Sequence, residues 1–281
     1  MIKEGELVYV WNPKKGDSFL FKVTPGASLG THFGQIKHDE LMQHEFGDGV
    51  WTPKGEVYYV LRPTLGDYTR RIKRQTQIIF PKDAGFIIQH LNIFPGCTYV
   101  ECGTGSGSLC CTVAHFVGEN GRVCTYDKRP EFSSLAKKNA EKWGVADRIE
   151  FNVGELADGF KERGADAVYI DVPDPWNYID KAYEALASGS HLGILVPTAN
   201  QISQTLEVLE RSNFVDIQVC ELMLRYYKTD PRRIRPQDVM IGHTGYLIFA
   251  VKTQPLPEPP VIEKTPAEEE NDQENEEERE E

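Results

Sequence analysis

No run in this chain approaches the roughly 20 consecutive apolar residues that a helix needs to cross a bilayer. That argues against an integral membrane protein. The opening residues, Met1-Ile2-Lys3-Glu4-Gly5-Glu6, carry no apolar stretch of the secretory kind, so no leader is expected. Cysteine is sparse and unpatterned. Cys97, Cys102, Cys110, Cys111, Cys124 and Cys220 lack C-x-x-C spacing and sit mostly within apolar segments. A disulfide framework is therefore excluded, and reduced, buried thiols in a cytoplasmic protein are expected. No metal site is expected either.

An even spread of basic charge is also missing, since the net charge of the 281 residues is −12. The acid is concentrated at one end. Residues 255–281 hold twelve acids against Lys264 and Arg279, a net −10, so the rest of the chain carries only −2. Local basic clusters can dominate the field of such a near-neutral body. With Pro255, Pro257, Pro259 and Pro260 ahead of a glutamate run, residues 255–281 are expected to be a disordered acidic tail without a catalytic role.

What is present is ordinary globular composition, 40% hydrophobic and 26% charged, in a chain long enough for a substantial core. Residues 1–66 show short alternating runs broken by turn signals. Glu6–Trp11 and Ser18–Val23 flank Pro13-Lys14-Lys15-Gly16-Asp17 as a hairpin, and Glu56–Leu61 adds a strand, which predicts a small β domain. Residues 67–254 alternate β and α. A basic bridge from Tyr68 to Lys73, followed by Arg74, precedes a helix over Lys82–Leu91. Strands are expected at Thr98–Cys102, Arg122–Tyr126, Arg148–Val153, Ala165–Ile170 and His191–Val196. Helices fall at Leu109–Val117, Pro130–Trp143, Ile179–Ala187 and Asn200–Ser212. Two more strands, Val215–Tyr226 and Gly245–Lys252, close the pattern of an α/β fold with a doubly wound, mostly parallel sheet.

The chain is organised around Glu101-Cys102-Gly103-Thr104-Gly105-Ser106-Gly107-Ser108, where a strand turns sharply into a helix. Glycine permits positive φ and close approach of a ligand, and the following helix offers free N–H groups. Asp127 lies 24 positions after Gly103, at the end of the next strand, where a carboxylate can accept hydrogen bonds from a ribose diol. A dinucleotide fold would use G-x-G-x-x-G; here the spacing is G-x-G-x-G, the pattern of S-adenosylmethionine (SAM) methyltransferases. Gly103–Ser108, Asp127, Glu155 and Asp171 all fall at carboxyl ends of strands, where such sheets bind ligands.

Four segments then occur in order: Gln77-Ile78-Ile79-Phe80-Pro81-Lys82-Asp83, the glycine loop, Asp171-Val172-Pro173-Asp174-Pro175-Trp176, and His243-Thr244-Gly245-Tyr246. Together they resemble the tRNA (adenine-58-N1)-methyltransferase family of the prokaryotic TrmI type, over essentially residues 1–253. The resemblance implies a Rossmann-like class I SAM-dependent fold with a small N-terminal β domain, a homotetramer, and methylation of adenine N1 in the tRNA T-loop, at position 58 and in some members also 57. It further implies that Gly103, Gly105, Ser106, Gly107 and Ser108 hold the methionine part of SAM. Asp127 would meet the ribose, and Glu155 and Leu156 the adenine, with Gln77 and Phe132 lining the pocket. Asp171 would face both cofactor and target base. Three positions depart from the family's commoner residues: Asp127 for Glu, Glu155 for Asp, and Phe80 for Tyr.

Attack of adenine N1 on the methyl group builds positive charge on the base. A carboxylate that accepts a hydrogen bond from the exocyclic N6 amine stabilises that charge, so Asp171 is expected to orient the base and act as general base. Phe80 is expected to stack on the extruded base, and Trp176 to wall the pocket. Arg70, Arg71, Lys73, Arg74, Arg232, Arg233 and Arg235 are candidates for phosphate contacts. His243 opens a strand with no visible partner and is read as structural or interfacial. Two other functions use parts of the same pattern. A protein or small-molecule methyltransferase of the isoaspartate-repair type needs the glycine loop but not D-x-P-x-P-W, and a non-catalytic tRNA-binding subunit needs neither.

Overall fold

The computed structural model describes residues 1–156 and 159–257, so the expected acidic tail lies, from residue 258 on, outside the described residues. Strands β1 (Leu7–Trp11) and β2 (Ser18–Lys22) form the expected antiparallel hairpin. A second hairpin, β3 (Ser28–Thr31) and β4 (Gly34–Lys37), is followed by α1 (His38–Leu41), β5 (Gly49–Trp51) and β6 (Val57–Leu61). The first sheet runs β2-β1-β6-β5. Its inward residues, Val8, Val10, Tyr58 and Val60, share a core with Ile36 and Leu41. The sequence pattern misses β3, β4 and β5, which at three or four residues are too short to show an alternation.

Residues Tyr68 to Arg70, expected within a basic bridge, instead complete the helix α2 (Leu65–Arg70). A capping box starts it: Asp67 N–H donates to Thr64 Oγ1 at 3.0 Å, and Thr64 N–H donates to the Asp67 carboxylate at 3.1 Å. The helix buries Tyr68, whose ring stacks on Trp143 with centroids 4.8 Å apart, and leaves Arg70 exposed.

The larger unit comprises α3 (Pro81–His90), β7 (Thr98–Cys102), α4 (Ser108–Val117), β8 (Arg122–Asp127), α5 (Pro130–Trp143), β9 (Ile149–Val153) and β10 (Ala165–Ile170). A 3-10 turn, Pro175–Tyr178, leads to α6 (Ile179–Ala185), β11 (Leu186–Val196), α7 (Ala199–Leu209), β12 (Phe214–Cys220) and β13 (Tyr246–Lys252). The sheet order is β12-β13-β11-β10-β7-β8-β9, and only β13 runs antiparallel to its neighbours. This is the doubly wound, mostly parallel sheet expected from the alternation and the Rossmann-like α/β fold that the resemblance implies. Helices cover both faces, so successive residues serve opposite cores. Tyr99, Ala167, Tyr169 and Phe249 face one; Val100, Val168, Ile170 and Ile248 face the other.

Strand order reverses direction on either side of β7, between β8 and β10. That reversal opens a crevice at the strands' carboxyl ends. One expected strand is shorter than its sequence suggested. β12 stops at Cys220, and residues 221–245 form an exposed arm with a single bridge between Tyr227 and Pro236. The arm's apolar residues suggested a strand, but among the described residues no strand pairs with them beyond Cys220. Among the described residues no helix is long and apolar enough to cross a membrane.

Candidate active site

At the crevice, two glycines are required by packing and a third leaves space. Gly103 has φ +103°, and a Cβ there would lie 2.1 Å from the Asp171 carbonyl oxygen. Only a missing side chain lets the end of β7 pass so close to the end of β10, where Asp171 N–H also donates to Cys102 O at 2.8 Å. Gly107, φ +81°, caps α4, and a Cβ there would lie 2.8 Å from the Ala136 Cβ of α5. Gly105, φ +52°, has no heavy atom of the chain nearer than 3.9 Å to where its Cβ would be. Its side of the loop is open.

Ser106 lies beside that space with its hydroxyl buried and without a partner among the described residues. An orphaned hydroxyl in a loop of this shape suits a polar ligand, as the tail of SAM would be. Ser108 donates its hydroxyl to Ile79 O at 3.1 Å, which ties the glycine loop to the segment carrying Phe80. Beneath the loop, Thr104 and Thr125 share a 2.6 Å hydrogen bond; Thr125 and Tyr99 donate to the Glu101 carboxylate at 2.7 and 2.9 Å. Burial pushes the Glu101 carboxyl up to about 7 in spite of those donors.

Asp127 ends β8 as expected. Its carboxylate accepts the Gly105 N–H at 3.1 Å and three donors of Arg129: the backbone N–H at 3.0 Å, Nε at 3.0 Å and Nη2 at 3.1 Å. Burial alone would raise its pKa, but the hydrogen bonds from Arg129 and Gly105 outweigh it and hold it below the usual carboxylate range. The Arg129 guanidinium also lies 3.7 Å over the buried ring of Phe132. The acceptor expected for a ribose diol thus has Arg129 as its present partner. Arg129 was not anticipated from sequence, although its position two residues after the acid could have suggested it.

The Asp171 carboxylate accepts no hydrogen bond from the described residues. Burial pushes it up to about 6; the Arg129 charge opposes that shift and the Asp127 charge adds to it. It does not cap the following turn, because Asp174 occupies the N-cap position. Pro175 is buried there, while Trp176 is partly exposed and packs with Val172 and Tyr178 against the core below β10. Gln201 Nε2 donates to Pro173 O at 2.8 Å and fixes the stretch from its other side.

The remaining expected residues are less closely joined. Leu156 is buried after β9, its carbonyl accepting from Lys181 Nζ, whereas Glu155 is exposed. Gln77 is exposed and Phe80 half-buried at the N-cap of α3. Arg70 donates to Tyr226 OH at 2.7 Å, linking α2 to the arm. Arg71 turns toward the small β unit, donating to Ser18 Oγ at 2.6 Å. Arg232 pairs with Asp230 at 3.6 Å and Arg235 with Asp238 at 3.3 Å; Lys73, Arg74 and Arg233 are exposed.

Two polar residues near the site were misjudged or missed in the sequence. His243, expected without a partner, has two: Glu221 Oε1 at 2.6 Å from Nδ1 and Pro197 O at 2.9 Å from Nε2. The Glu221 hydrogen bond, then that to Pro197, raises its pKa, since only the imidazolium donates from both nitrogens. Asn139, buried on α5, donates from Nδ2 to both Ser106 O and Lys73 O at 2.9 Å. It joins the glycine loop to the basic segment, a pairing that spacing along the chain does not reveal.

The model of the family described as "tRNA methyltransferase complex GCD14 subunit" matches residues 56–240. The tRNA (adenine(57)-N(1)/adenine(58)-N(1))-methyltransferase TrmI of Methanocaldococcus jannaschii is 34% identical over 270 residues, covering 86% of this chain and 94% of that protein. Among solved structures, tRNA (m1A58) methyltransferase TrmI from Aquifex aeolicus is 35% identical with a TM-score of 0.80, covering 90% of this chain and 99% of the other. A SAM-dependent O-methyltransferase from Thermotoga maritima is 39% identical with a TM-score of 0.87, covering 91% and 96%.

Proposed function

Because this chain belongs to the tRNA (adenine-58-N1)-methyltransferase family, we propose that Asp171 is the orienting group and general base of its SAM-dependent adenine-N1 methylation of tRNA. The target is adenine 58, with adenine 57 as a second acceptor. The observation that carries the reading is the Asp171 carboxyl itself: without a hydrogen-bond donor among the described residues, raised to about 6, and set against the glycine loop by its own backbone. Bound SAM supplies an electrophilic methyl group. The glycine loop holds its amino-acid tail, with the Ser106 hydroxyl as one polar partner. Asp127 holds the ribose once Arg129 yields an acceptor site, and Leu156, Glu155, Phe132 and Gln77 border the rest of the nucleoside.

At pH 7 to 8 an acid with a pKa near 6 is largely ionised and can accept a hydrogen bond from the adenine N6 amine. As N1 gains positive charge that hydrogen bond strengthens, and the amine proton passes to the carboxylate. Extruding the base costs a few kcal/mol, which stacking on Phe80 offsets. A phenylalanine supplies the stacking without a hydroxyl, so no proton moves through that position. Trp176 supplies an apolar border, and the exposed Arg70, Lys73, Arg74 and Arg233 reach phosphates. Arg71, Arg232 and Arg235 are paired with the carboxylates of Asp67, Asp230 and Asp238 and contribute less, whereas the partner of Arg70 is the neutral Tyr226 hydroxyl.

Digestion of tRNA after incubation with the protein and SAM, followed by mapping of modified nucleosides, tests this directly. 1-Methyladenosine at position 58 is expected, and at 57 as well where that position is adenine. Methylation of a damaged peptide with untouched tRNA would overturn the reading in favour of the protein methyltransferase. We further infer a homotetramer in the cytoplasm. In support of assembly, the arm exposes Met223, Ile234 and Val239 at 68, 70 and 82%. Native mass spectrometry of the full chain should show four copies of 31.8 kDa, and a persistent monomer would overturn that inference. Separate cores support a division near residue 66 between the β unit and the catalytic domain.

A further inference from the structure

A lysine in the first turn of a helix breaks a local electrostatic preference, since that end favours acids. Lys82 does this in α3, directly after Phe80 and Pro81. Its side chain is only 12% exposed, so the ammonium has lost most of its water. Burying such a group is tolerable only when its three N–H donors all find acceptors. They do. Nζ donates to Asp83 Oδ1 at 2.7 Å, to Leu222 O at 2.8 Å and to Thr244 Oγ1 at 2.7 Å.

The last two acceptors lie 140 and 162 residues away along the chain and mark the two roots of the exposed arm. One root leaves β12 and the other enters β13. A single ammonium therefore closes the base of the arm and fastens it to the helix whose N-cap is Phe80. The same segment is fastened on its other side by the Ser108 hydroxyl on Ile79 O. The arm in turn presents Arg233 and holds Arg70 through Tyr226.

We propose that Lys82 is a positioning residue for the nucleic-acid substrate, setting the arm and the Phe80 segment in register with each other while leaving the cofactor loop alone. This rests on the assignment of tRNA as substrate. The lysine joins two segments that are far apart in the chain, Pro-Lys-Asp and His-Thr-Gly: Lys82 of the first bonds Thr244 of the second. Among the described residues Nζ bonds only Asp83, Leu222 and Thr244 and no atom of the glycine loop, so the effect on substrate should separate from the effect on cofactor.

The test compares wild type, Lys82→Met and Thr244→Val as full chains. Both variants should show faster hydrogen exchange across residues 222–244. Their kcat/KM for tRNA should fall, by roughly tenfold to 10²-fold for Lys82→Met, the scale of a misplaced substrate contact. Thr244→Val, which removes one acceptor and no charge, should fall less and covers the case in which Lys82→Met fails to fold. The Kd for SAM should stay within about twofold of wild type in folded protein, a small change against that scale. Unchanged arm exchange, or a loss of SAM affinity matching the loss of tRNA turnover, would overturn the positioning role. Wild-type protein that leaves tRNA unmodified would instead sink the activity reading, and the exchange result would still decide the anchor.

Discussion

Asp171→Asn is expected to lower turnover by roughly 10² or more while binding SAM nearly as well as wild type, because the amide can neither accept the N6 proton nor carry the opposing charge. The same substitution should make the folded protein more stable at pH 8. The sign follows from the raised pKa. A carboxyl moved from 3.8 up to about 6 binds its proton more tightly in the folded chain than in the unfolded one. Its contribution favours the fold below the unfolded pKa and is lost as pH rises through the folded pKa. Ionised at pH 8, Asp171 costs on the order of 1–3 kcal/mol, and a neutral amide avoids that cost. Denaturant melts at pH 8 and pH 4 should show the gain at the first and its near-disappearance at the second. Wild-type kcat/KM should also decline as pH falls below about 6. A variant with near-native turnover, or one less stable than wild type at pH 8, would rule Asp171 out as the general base.

Gly103→Ala is expected to be the most damaging single-atom change in the loop. The new Cβ would stand 2.1 Å from the Asp171 carbonyl oxygen and 2.8 Å from its carbonyl carbon, against backbone that has no rotamer to retreat into. Overpacking of about 1–3 kcal/mol adds to a comparable cost of an L side chain at φ +103°. Relief requires the end of β10 to move, and Asp171 moves with it. Both thermal stability and methyl transfer should therefore drop. Gly105→Ala gives the contrast. Its Cβ would meet nothing closer than 3.9 Å, so the fold should lose only about 1 kcal/mol for φ +52°. The added methyl instead intrudes on the open side of the loop, and calorimetric SAM affinity should fall. If Gly103→Ala melts like wild type, the ends of β7 and β10 do not pass each other this closely in solution.

Much of the frame was legible because its causes are local. Pro130 at the first turn and Gly144 after the last bracket α5 so firmly that sequence and structure agree on both ends. The parallel strands read as short apolar runs between glycine or proline signals. The elements missed, β3 to β5 and α1, are too brief for a period to emerge. Tyr68 was misplaced because the basic residues around it drowned the capping box at Thr64 and Asp67. β12 was drawn too long because exposed apolar residues beyond Cys220 mimic a strand.

Within the site, the residue types were visible but their electrical states were not. Asp127 could be placed at a strand end from spacing alone; that Arg129 engages both of its oxygens could not. His243 looked solitary because its partners, Glu221 and Pro197, are 22 and 46 positions away. Lys82 stood in the 77–83 segment without a role of its own, because its acceptors at Leu222 and Thr244 lie 140 and 162 positions away.

By itself, then, the order of residues determined the βα alternation, the glycine loop and the edge of the sheet at which acids collect. Those follow from side-chain periodicity and backbone freedom, which act over a few residues. The folded chain alone decided that, among the described residues, nothing donates to the Asp171 carboxylate and its pKa is raised, that the buried Ser106 hydroxyl has no partner there, and that one ammonium closes an arm from both ends. Each depends on which groups burial strips of water and which distant partners replace it, and neither quantity is written in any short stretch of sequence.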